Sequence, residues 1–473
     1  MGEPLVLALD QGGGSSRAIV FDAQGRAIAR AQHPVSEERP AEDRVEQDPE
    51  ELVRSLRRAT RDALKFLGKR AGDLAAAGLA TQRSSVVAWD RRTGAALAPV
   101  LSWQDRRARD RIDALGEHAA EVRERTGLRL SPHYGASKLA WLLAHASEVA
   151  LAHREGRLAF GPLSSFLAFR LLDEHPIVAD PANASRTLLW NVVTRAFDPR
   201  LCDLFGVPIG ALPRSVPTRG EHGTLDVGPR KVPLRVLTGD QSAALFAGGA
   251  PSGDEVHVNF GTGAFVQRTF ADSALDAPRL LKSVVFADDT RTVFALEGTV
   301  NGAGSALRHA IDALGLEGEL PDLDELLARE LDPPLFLNGV SGLGAPYWIP
   351  DFATRFVGEG TTDGQLVAVL ESVVFLVVVV LEEMSRSLGA PRCLRVGGGL
   401  AQLDGLCQRL SDLAGVPVRR AEDPEATARG LAWLVHESPS FGERREQCFE
   451  PKPAEPLLAR FERFRIEVAA AAP

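Results

Sequence analysis

Cysteine is scarce, with four in 473 residues. Cys202, Cys393, Cys407 and Cys448 show no Cys-x-x-Cys spacing. That argues against a structural zinc site and a disulfide framework, and it fits a reducing, cytoplasmic setting. Basic charge is short as well. Lys and Arg number 54 against 63 Asp and Glu, a net charge of −9, so there is no cationic footprint for nucleic acid. A strand-like run starts at Leu5 with no charged leader before it, so no signal peptide is expected. Long apolar runs are missing too. The one tempting stretch, "VVFLVVVV" (Val373 to Val380), falls well below the roughly 20 residues that a membrane span requires. Glu371, Glu382 and Glu383 bound it. Its valines alone would favour a strand, but helix formers on both sides and Gly389 as a stop point to a buried helix.

The rest is ordinary globular composition, 45% hydrophobic and 25% charged, at a length that suggests two or more domains. Residues 5–35 read as three short strands, "LVLALD", "RAIVFD" and "AIARAQHPV". "DPEELVRSLRRATRDALKFL" reads as an amphipathic helix, with Asp48 as cap, Pro49 in the first turn and Glu51 completing a capping box. "LAAAGLATQ" and "SSVVAWD" return to strand character, and "GASKLAWLLAHASEVA" reads as one helix. Residues 176–236 are rich in Pro and Gly and read mainly as loop. "PLRVLTGDQSAALFAGGA" is strand, acidic turn, helix. "EVHVNFGTGAFVQRTF" repeats the opening device of strand, glycine turn and strand, and "CLRVGGGLAQLDGLCQRLSDLAG" is strand, triple glycine, helix. Strands alternating with helices in both halves indicate an α/β class and a plausible duplication, with the join near residues 243–250.

Two stretches carry chemistry of their own. "LALDQGGGSSRAIVFD" places three glycines between two apolar strands. A hairpin turn accounts for one or two of them. A run of backbone without side chains also lets an anion lie on exposed N–H groups. It is not a Walker A loop, which needs a Lys-Ser/Thr pair opening a helix. Turn and cradle both remain open on this stretch alone, and the second glycine hairpin favours the cradle. Asp240 ends a strand and precedes a helix, which puts its carboxylate at the carboxyl edge of a sheet, where α/β proteins bind ligands. It reads either as a helix cap or as a base for an acceptor hydroxyl.

Ten stretches in order carry a resemblance that covers Leu5 to about Leu434. They are "ALDQGGGSSRAIVFD", "RVEQDPEEL", "GLATQRSSVVAWD", "SWQDRRARD", "GASKLAWLL", "DPANASRTLLWN", "TGDQSAALF", "NFGTGAF", "GLGAPYW" and "LRVGGGLAQ". The chain resembles the FGGY carbohydrate kinases, within the actin-like ATPase fold, and among them the glycerol kinases. The resemblance implies two actin-like (ribonuclease H-like) α/β domains with a cleft between them. Residues 1–245 would carry the first phosphate hairpin and the acceptor site, and residues 246–473 the second hairpin and the adenosine site. It implies ATP and Mg2+ as cofactors. It assigns the catalytic base to Asp240, and the metal to Asp10 and Asp240. Arg83, Ser84, Trp103, His133, Tyr134, Gln241 and Phe265, with Asp240, fall at acceptor positions. Gly12, Gly13, Gly14, Ser15, Ser16, Arg17, Gly261, Thr262, Gly263, Gly304, Arg308, Gly398, Gly399 and Leu403 fall at nucleotide positions. A homodimer or homotetramer is compatible with it.

The pattern breaks in four places. Glycerol kinases read Arg-Glu where this chain has Arg83-Ser84, and that glutamate bonds the glycerol hydroxyls. They carry Tyr where His133 aligns, although Tyr134 is adjacent. Gly13 and Gly14 replace a threonine pair, and Leu403, or Asp404 in a shifted register, replaces an asparagine. The expected function is an ATP-dependent phosphotransferase acting on a hydroxyl of a small polyol or sugar. The alternative is a catalytically weak or inactive nucleotide-binding scaffold with a regulatory role.

Overall fold

The computed structural model describes the whole chain except residues 1–2, 229, 317, 319–320, 330–331, 424, 437–440, 442–444 and 473. It divides into two compact units. The first comprises Met1–Pro251, Ser283–Phe294 and Glu425–Glu443; the second comprises Ser252–Lys282, Ala295–Pro424 and Arg444–Pro473.

In the first unit the strands are β1 Leu5–Gln11, β2 Ser15–Phe21, β3 Ala27–Pro34, β4 Glu38–Ala41, β5 Arg44–Gln47, β6 Leu74–Thr81, β7 Val86–Asp90, β8 Val100–Leu101, β9 Leu158–Pro162, β10 Arg219–Asp226 and β11 Lys231–Gly239. The main sheet has the order β10-β11-β6-β1-β2-β3, and a smaller one the order β4-β5-β8-β7-β9. β1, β2 and β3 form an antiparallel meander, and β1, β6 and β11 run parallel. Every residue of β1 is buried, as a central strand covered on both faces requires. Leu5, Leu7, Leu9, Ala18 and Val20 pack with Leu52, Leu56 and Ala63 of the helix Pro49–Leu67. The helix Ala426–His436 also packs on this sheet, so closely that a Cβ on Gly78 would fall 2.8 Å from Leu431.

The second main sheet is built from β12 Glu255–Phe260, β13 Ala264–Phe270, β14 Leu281–Ala287, β15 Thr292–Val300, β16 Cys393–Gly398, β17 Val418–Ala421 and β18 Glu446–Phe449, all in the second unit apart from residues 283–294 of β14 and β15. Their sheet order is β14-β15-β13-β12-β16-β17-β18. β12 and β13 are an antiparallel hairpin, while β12, β16 and β17 run parallel. The inner order β15-β13-β12-β16-β17 repeats β3-β2-β1-β6-β11, so the two α/β units share one topology.

The apolar run lies in the helix Thr362–Leu388, capped by Thr361 and stopped by Gly389 at φ 72°. By length and composition this helix could cross a membrane, but 94% of its most apolar window is buried inside the protein. Glu371 on it is 1% exposed and is bonded to Arg409 and Arg460. A buried carboxylate with two guanidinium partners suits a protein core.

Three local expectations are corrected. The Asp48 carboxylate accepts from Glu50 N–H at 2.8 Å, while Glu51 reaches out to Ser36 instead of closing a capping box. "GASKLAWLLAHASEVA" is two helices, Gly135–His145 and Ser147–Arg154, broken where Ala146 turns extended at ψ 109°. The 176–236 segment ends in the long β10–β11 hairpin, whose outer strand buries only His222 and Leu225 and so carries a weak apolar signal.

Candidate active site

The carboxyl ends of β1, β6 and β11 lie side by side, and the sequence hands each a charged or amide side chain there. Asp10 stands near the end of β1, Arg83 just after β6, and Asp240 just after β11. A Cβ on Gly239 would fall 2.6 Å from Arg83 Cγ, so the arginine stem lies against the residue preceding Asp240. Asp240 is the first residue of a five-residue helix whose N-cap is Gly239, and its Oδ1 accepts from Gln241 N–H at 2.7 Å. Burial raises the Asp240 carboxyl above its ordinary range, while Arg83 and Arg186 oppose the rise. Burial and the charge of Asp240 push Asp10 up to about 7, against the pull of Arg17. Arg17 faces Asp10 across the β1–β2 ladder and donates to its Oδ2 at 3.1 Å. The charge of Arg17 is therefore committed to a carboxylate, with Glu425 a further 4.0 Å partner. Gln241 is half-buried beside Asp240.

The first glycine loop is held from behind. Gly12 O accepts from Gln11 Nε2 at 2.6 Å, Gly13 O from Gln47 Nε2 at 2.8 Å, and Gly14 O from Val35 N–H at 3.1 Å. With all three carbonyls occupied, the amides of Gly13 and Gly14 have no acceptor among the described residues. Neither glycine has positive φ. Two unpaired donors on a fixed loop are what an anion needs. Ser15 and Ser16 alternate faces on β2. The Ser16 hydroxyl shares a 2.8 Å hydrogen bond with Ser55 on the helix Pro49–Leu67, so it serves the core and not the loop.

On the acceptor side, Trp103 N–H donates to Ser85 Oγ at 3.0 Å. The Trp103 ring meets His133 edge-on at 5.5 Å, and His133 meets Tyr134 at 5.1 Å. Arg186 lies 5.9 Å over the Tyr134 ring. Burial, then the charges of Lys138, Arg186, Arg83 and Arg106, hold His133 well below its ordinary pKa, so the ring is neutral. Ser84 sits at φ 66°, in the left-handed region, and its buried hydroxyl has no hydrogen-bond partner among the described residues. The structure thus gathers Asp10, Arg83, Ser84, Trp103, His133, Tyr134, Asp240 and Gln241 into the first unit.

The second unit holds the remaining candidates. Gly261 to Gly263 turn between β12 and β13, and Thr262 at the tip is exposed. Gly304 N–H donates to Gly261 O at 3.0 Å, and Ala303 and Ser305 amides donate to Thr262 O at 3.0 Å. The start of the helix Gly304–Ala313 thereby clamps this loop from behind, and Arg308 is exposed on that helix. Phe265 is half-buried on β13, opposite Asn259. Gly398 at φ 91° would put a Cβ 2.3 Å from Phe260 O, so no side chain fits there. Gly399 has open space around it, and Leu403 is the N-cap residue of the helix Asp404–Ala414. Asp404 is bonded to Arg420 and Gln447, which engages the alternative to Leu403 elsewhere.

Sequence reasoning missed a glutamine network. Gln82 Nε2 donates to Gln47 Oε1 at 2.8 Å and to Gln11 Oε1 at 3.3 Å, and Gln82 Oε1 accepts from Ser85 Oγ at 3.1 Å. Each glutamine stands in a motif already noted, "DQGGG", "RVEQDPEEL" or "TQRSS". It also missed Arg186 in "ASRT", whose signal was the same motif membership.

Two α/β units of one topology, each with a glycine hairpin clamped from behind, define a duplicated α/β fold. Comparison with known proteins carries this to a family. Residues 5–247 match the FGGY family of carbohydrate kinases, N-terminal domain, and residues 256–435 match its C-terminal domain. The chain is 38% identical over 442 residues to a glycerol kinase of Alkalilimnicola ehrlichii, covering 91% of this chain and 89% of that one. It is 36% identical over 473 residues to a glycerol kinase of Rhodospirillum centenum, covering 95% of each. In fold it is similar to the Plasmodium falciparum glycerol kinase with ADP, at a TM-score of 0.89, 20% identity, and coverage of 100% of this chain and 99% of that one. It is also similar to the gluconate kinase of Lactobacillus acidophilus, at a TM-score of 0.86, 19% identity, and coverage of 100% and 99%. The chain belongs to the FGGY family of carbohydrate kinases. It is an ATP-dependent carbohydrate kinase acting on a polyol or sugar.

Proposed function

We propose that the acceptor is a small open-chain polyol of the glycerol class and that Asp240 takes the proton from its attacking hydroxyl. One observation carries this reading. The Asp240 carboxylate, made less acidic by burial, lies at the carboxyl edge of the sheet within the fields of Arg83 and Arg186 and close enough to raise Asp10. A base with a raised pKa is better matched to a hydroxyl proton. The Arg83 guanidinium offers a rigid fork of donors to the acceptor hydroxyls. Ser84 offers a buried hydroxyl, Trp103 an apolar wall, and neutral His133 with Tyr134 the opposite side. Gln241 completes the acceptor set of the first unit, and Phe265 is a separate acceptor candidate on the second.

The amides of Gly13 and Gly14, flanked by Gly12 and Ser15, would bind nucleotide phosphate in the first unit, and the Gly261–Gly263 loop with Thr262 would do so in the second. Gly304, Arg308, Gly398, Gly399 and Leu403 would receive the nucleoside. Residues 1–245 act as the acceptor and first-phosphate domain and residues 246–473 as the nucleotide domain, apart from 246–251, 283–294 and 425–443, which fall in the first compact unit. The donor set at Asp10 and Asp240 fits a magnesium ion. The two carboxylates repel each other, and no cluster of three or more metal-ligating side chains exists among the described residues. Magnesium takes few carboxylates and keeps its waters. When bound, the ion neutralises phosphate charge, and Asp10 and Asp240 would hold it. The protein is expected in the cytoplasm.

The test is ADP release from MgATP across a panel of polyols and sugars, run with wild type and Asp240→Asn. Loss of a general base costs roughly 10² to 10⁴ in rate. Turnover with a polyol that falls by that much in Asp240→Asn, with nucleotide binding retained, supports the reading. Unchanged turnover in the variant removes Asp240 as base.

A further inference from the structure

The motif "GASKLAWLL" is not used by the chemistry above, yet it contains the most deeply buried cation in the first unit. Lys138 is 0% exposed, in the first turn of the helix Gly135–His145. Its ammonium donates to Ser102 O at 2.7 Å, His133 O at 2.8 Å and Ser84 O at 3.3 Å. An ammonium has three N–H donors and no acceptor, so these three bonds use all of them. The three carbonyls belong to three separate segments. Each is an acceptor residue or its direct neighbour: Ser84 itself, His133 itself, and Ser102 before Trp103.

We infer that Lys138 is a positioning residue that fastens the three acceptor-binding segments to one point and so sets acceptor affinity. It rests on the acceptor site proposed above. The geometry is specific. Ser84 and His133 carbonyl oxygens can lie no more than about 6 Å apart when both bond one nitrogen at these distances. The positive φ of Ser84 turns its backbone so that the carbonyl meets the ammonium, and that turn needs a partner strong enough to hold it. The nearest compensating charge is Asp105, which is itself fastened by Arg107 at 2.7 Å and by Val45 N–H at 2.8 Å. Burial draws the ammonium down to about 7, with Asp105 opposing and Arg107 adding to the fall; its three hydrogen bonds to carbonyl oxygens do not depend on the shift. The phosphate hairpin is held by a different set, Gln11, Gln47 and Val35. Loss of Lys138 therefore acts first on the acceptor segments, and reaches the hairpin only indirectly, through Ser85 and Gln82, while the hairpin keeps its own direct braces.

Lys138→Met keeps length and removes all three donors, and Lys138→Gln keeps part of the hydrogen bonding without charge. The expected result for either is an acceptor KM at least tenfold higher, with kcat and the KM for ATP within about threefold of wild type. Amide hydrogen exchange should rise in 83–86, 102–104 and 131–134 and stay unchanged in 11–17. The inference is overturned by an acceptor KM within twofold of wild type, by a parallel rise in the KM for ATP, or by unchanged exchange in the three segments. Failure of both variants to fold would make Lys138 a folding residue and overturn it too. A wild type inactive on every polyol in the panel would refute the proposed function, while the exchange measurement would still decide the role of Lys138.

Discussion

Two threonines in the first hairpin test how that loop holds phosphate. Gly13→Thr and Gly14→Thr together supply the two hydroxyls that the resembling family uses there. The backbone permits the change, because neither glycine has positive φ. A Cβ at Gly14 meets nothing within 4 Å, and one at Gly13 meets only Gln82 Oε1 at 3.9 Å. The carbonyls behind the loop are already bonded, so the new side chains need not reorganise it. Two hydroxyl bonds to charged phosphate oxygens total about 3 to 6 kcal/mol, or roughly 10²- to 10⁴-fold. Replacing glycine also cuts unfolded-state entropy, worth about 0.4 to 1 kcal/mol per site. The expected outcome is a higher kcat/KM for ATP with the best acceptor, together with an unchanged or raised Tm. Steady-state kinetics and a thermal melt on the same preparation measure both. A double variant that melts normally and shows no gain would refute the reasoning: the loop would then complete its phosphate site with backbone alone.

Ser84→Glu should raise kcat/KM for glycerol by roughly 10- to 100-fold, the worth of one hydrogen bond to a charged group; a fall in glycerol turnover in a folded variant would sink that expectation. Asp180 is fully buried and pushed up to about 6 by burial, against 3.8 for the free group. Its neutral form is the one the fold prefers, so its stabilising contribution is complete below 3.8 and is lost as pH rises through about 6. Asp180→Asn keeps a capping side chain for Pro181–Ala184 without the charge, so its Tm relative to wild type should climb between pH 4 and 6 and level off above, by about 1 to 3 kcal/mol in equivalent stability. A Tm difference independent of pH would contradict this. Fructose 1,6-bisphosphate should not inhibit, since Arg230 is bonded to Gly72 O and Lys231 pairs with Asp173 at 2.5 Å. Millimolar inhibition that vanishes in Arg230→Ala would overturn that.

The fold was legible wherever the pattern is local. The β1–β2 and β12–β13 hairpins announce themselves as apolar runs around glycine, and the Thr362–Leu388 helix by its helix formers and Gly389. Asp240 stood out in the sequence by its place between a strand and a helix, whereas Asp10 and Arg83 were singled out by the resemblance; the structure puts all three at or just beyond the carboxyl ends of adjacent strands. What stayed hidden depends on pairing across the chain. Ser16 looks like a loop hydroxyl in sequence, but strand alternation turns it to Ser55, 39 residues away. Arg17 looks like a free cation and is opposed to Asp10 by ladder register. Lys138 and Gln82 are unremarkable in composition, and their bonds form only when segments 35 to 71 residues apart converge.

The two hairpins reach the same end by different means, and the difference matters for what each can tolerate. The second loop is clamped by backbone amides at the start of the helix Gly304–Ala313, so its order follows from that helix alone. The first is clamped mostly by side chains, Gln11 and Gln47, with one strand amide from Val35. Those glutamines are in turn set by Gln82, and Gln82 by Ser85, whose hydroxyl also accepts from Trp103 N–H. A hydrogen-bonded path therefore joins an acceptor-site backbone group to Gly13 O within one unit. Buried amide networks of this kind are rigid only when every member is satisfied. A loop braced from behind through its carbonyls can dispense with bulky side chains at its tip, because its amides are already aimed. On that reasoning Gly13 and Gly14 mark a phosphate loop whose order resides in the glutamines behind it.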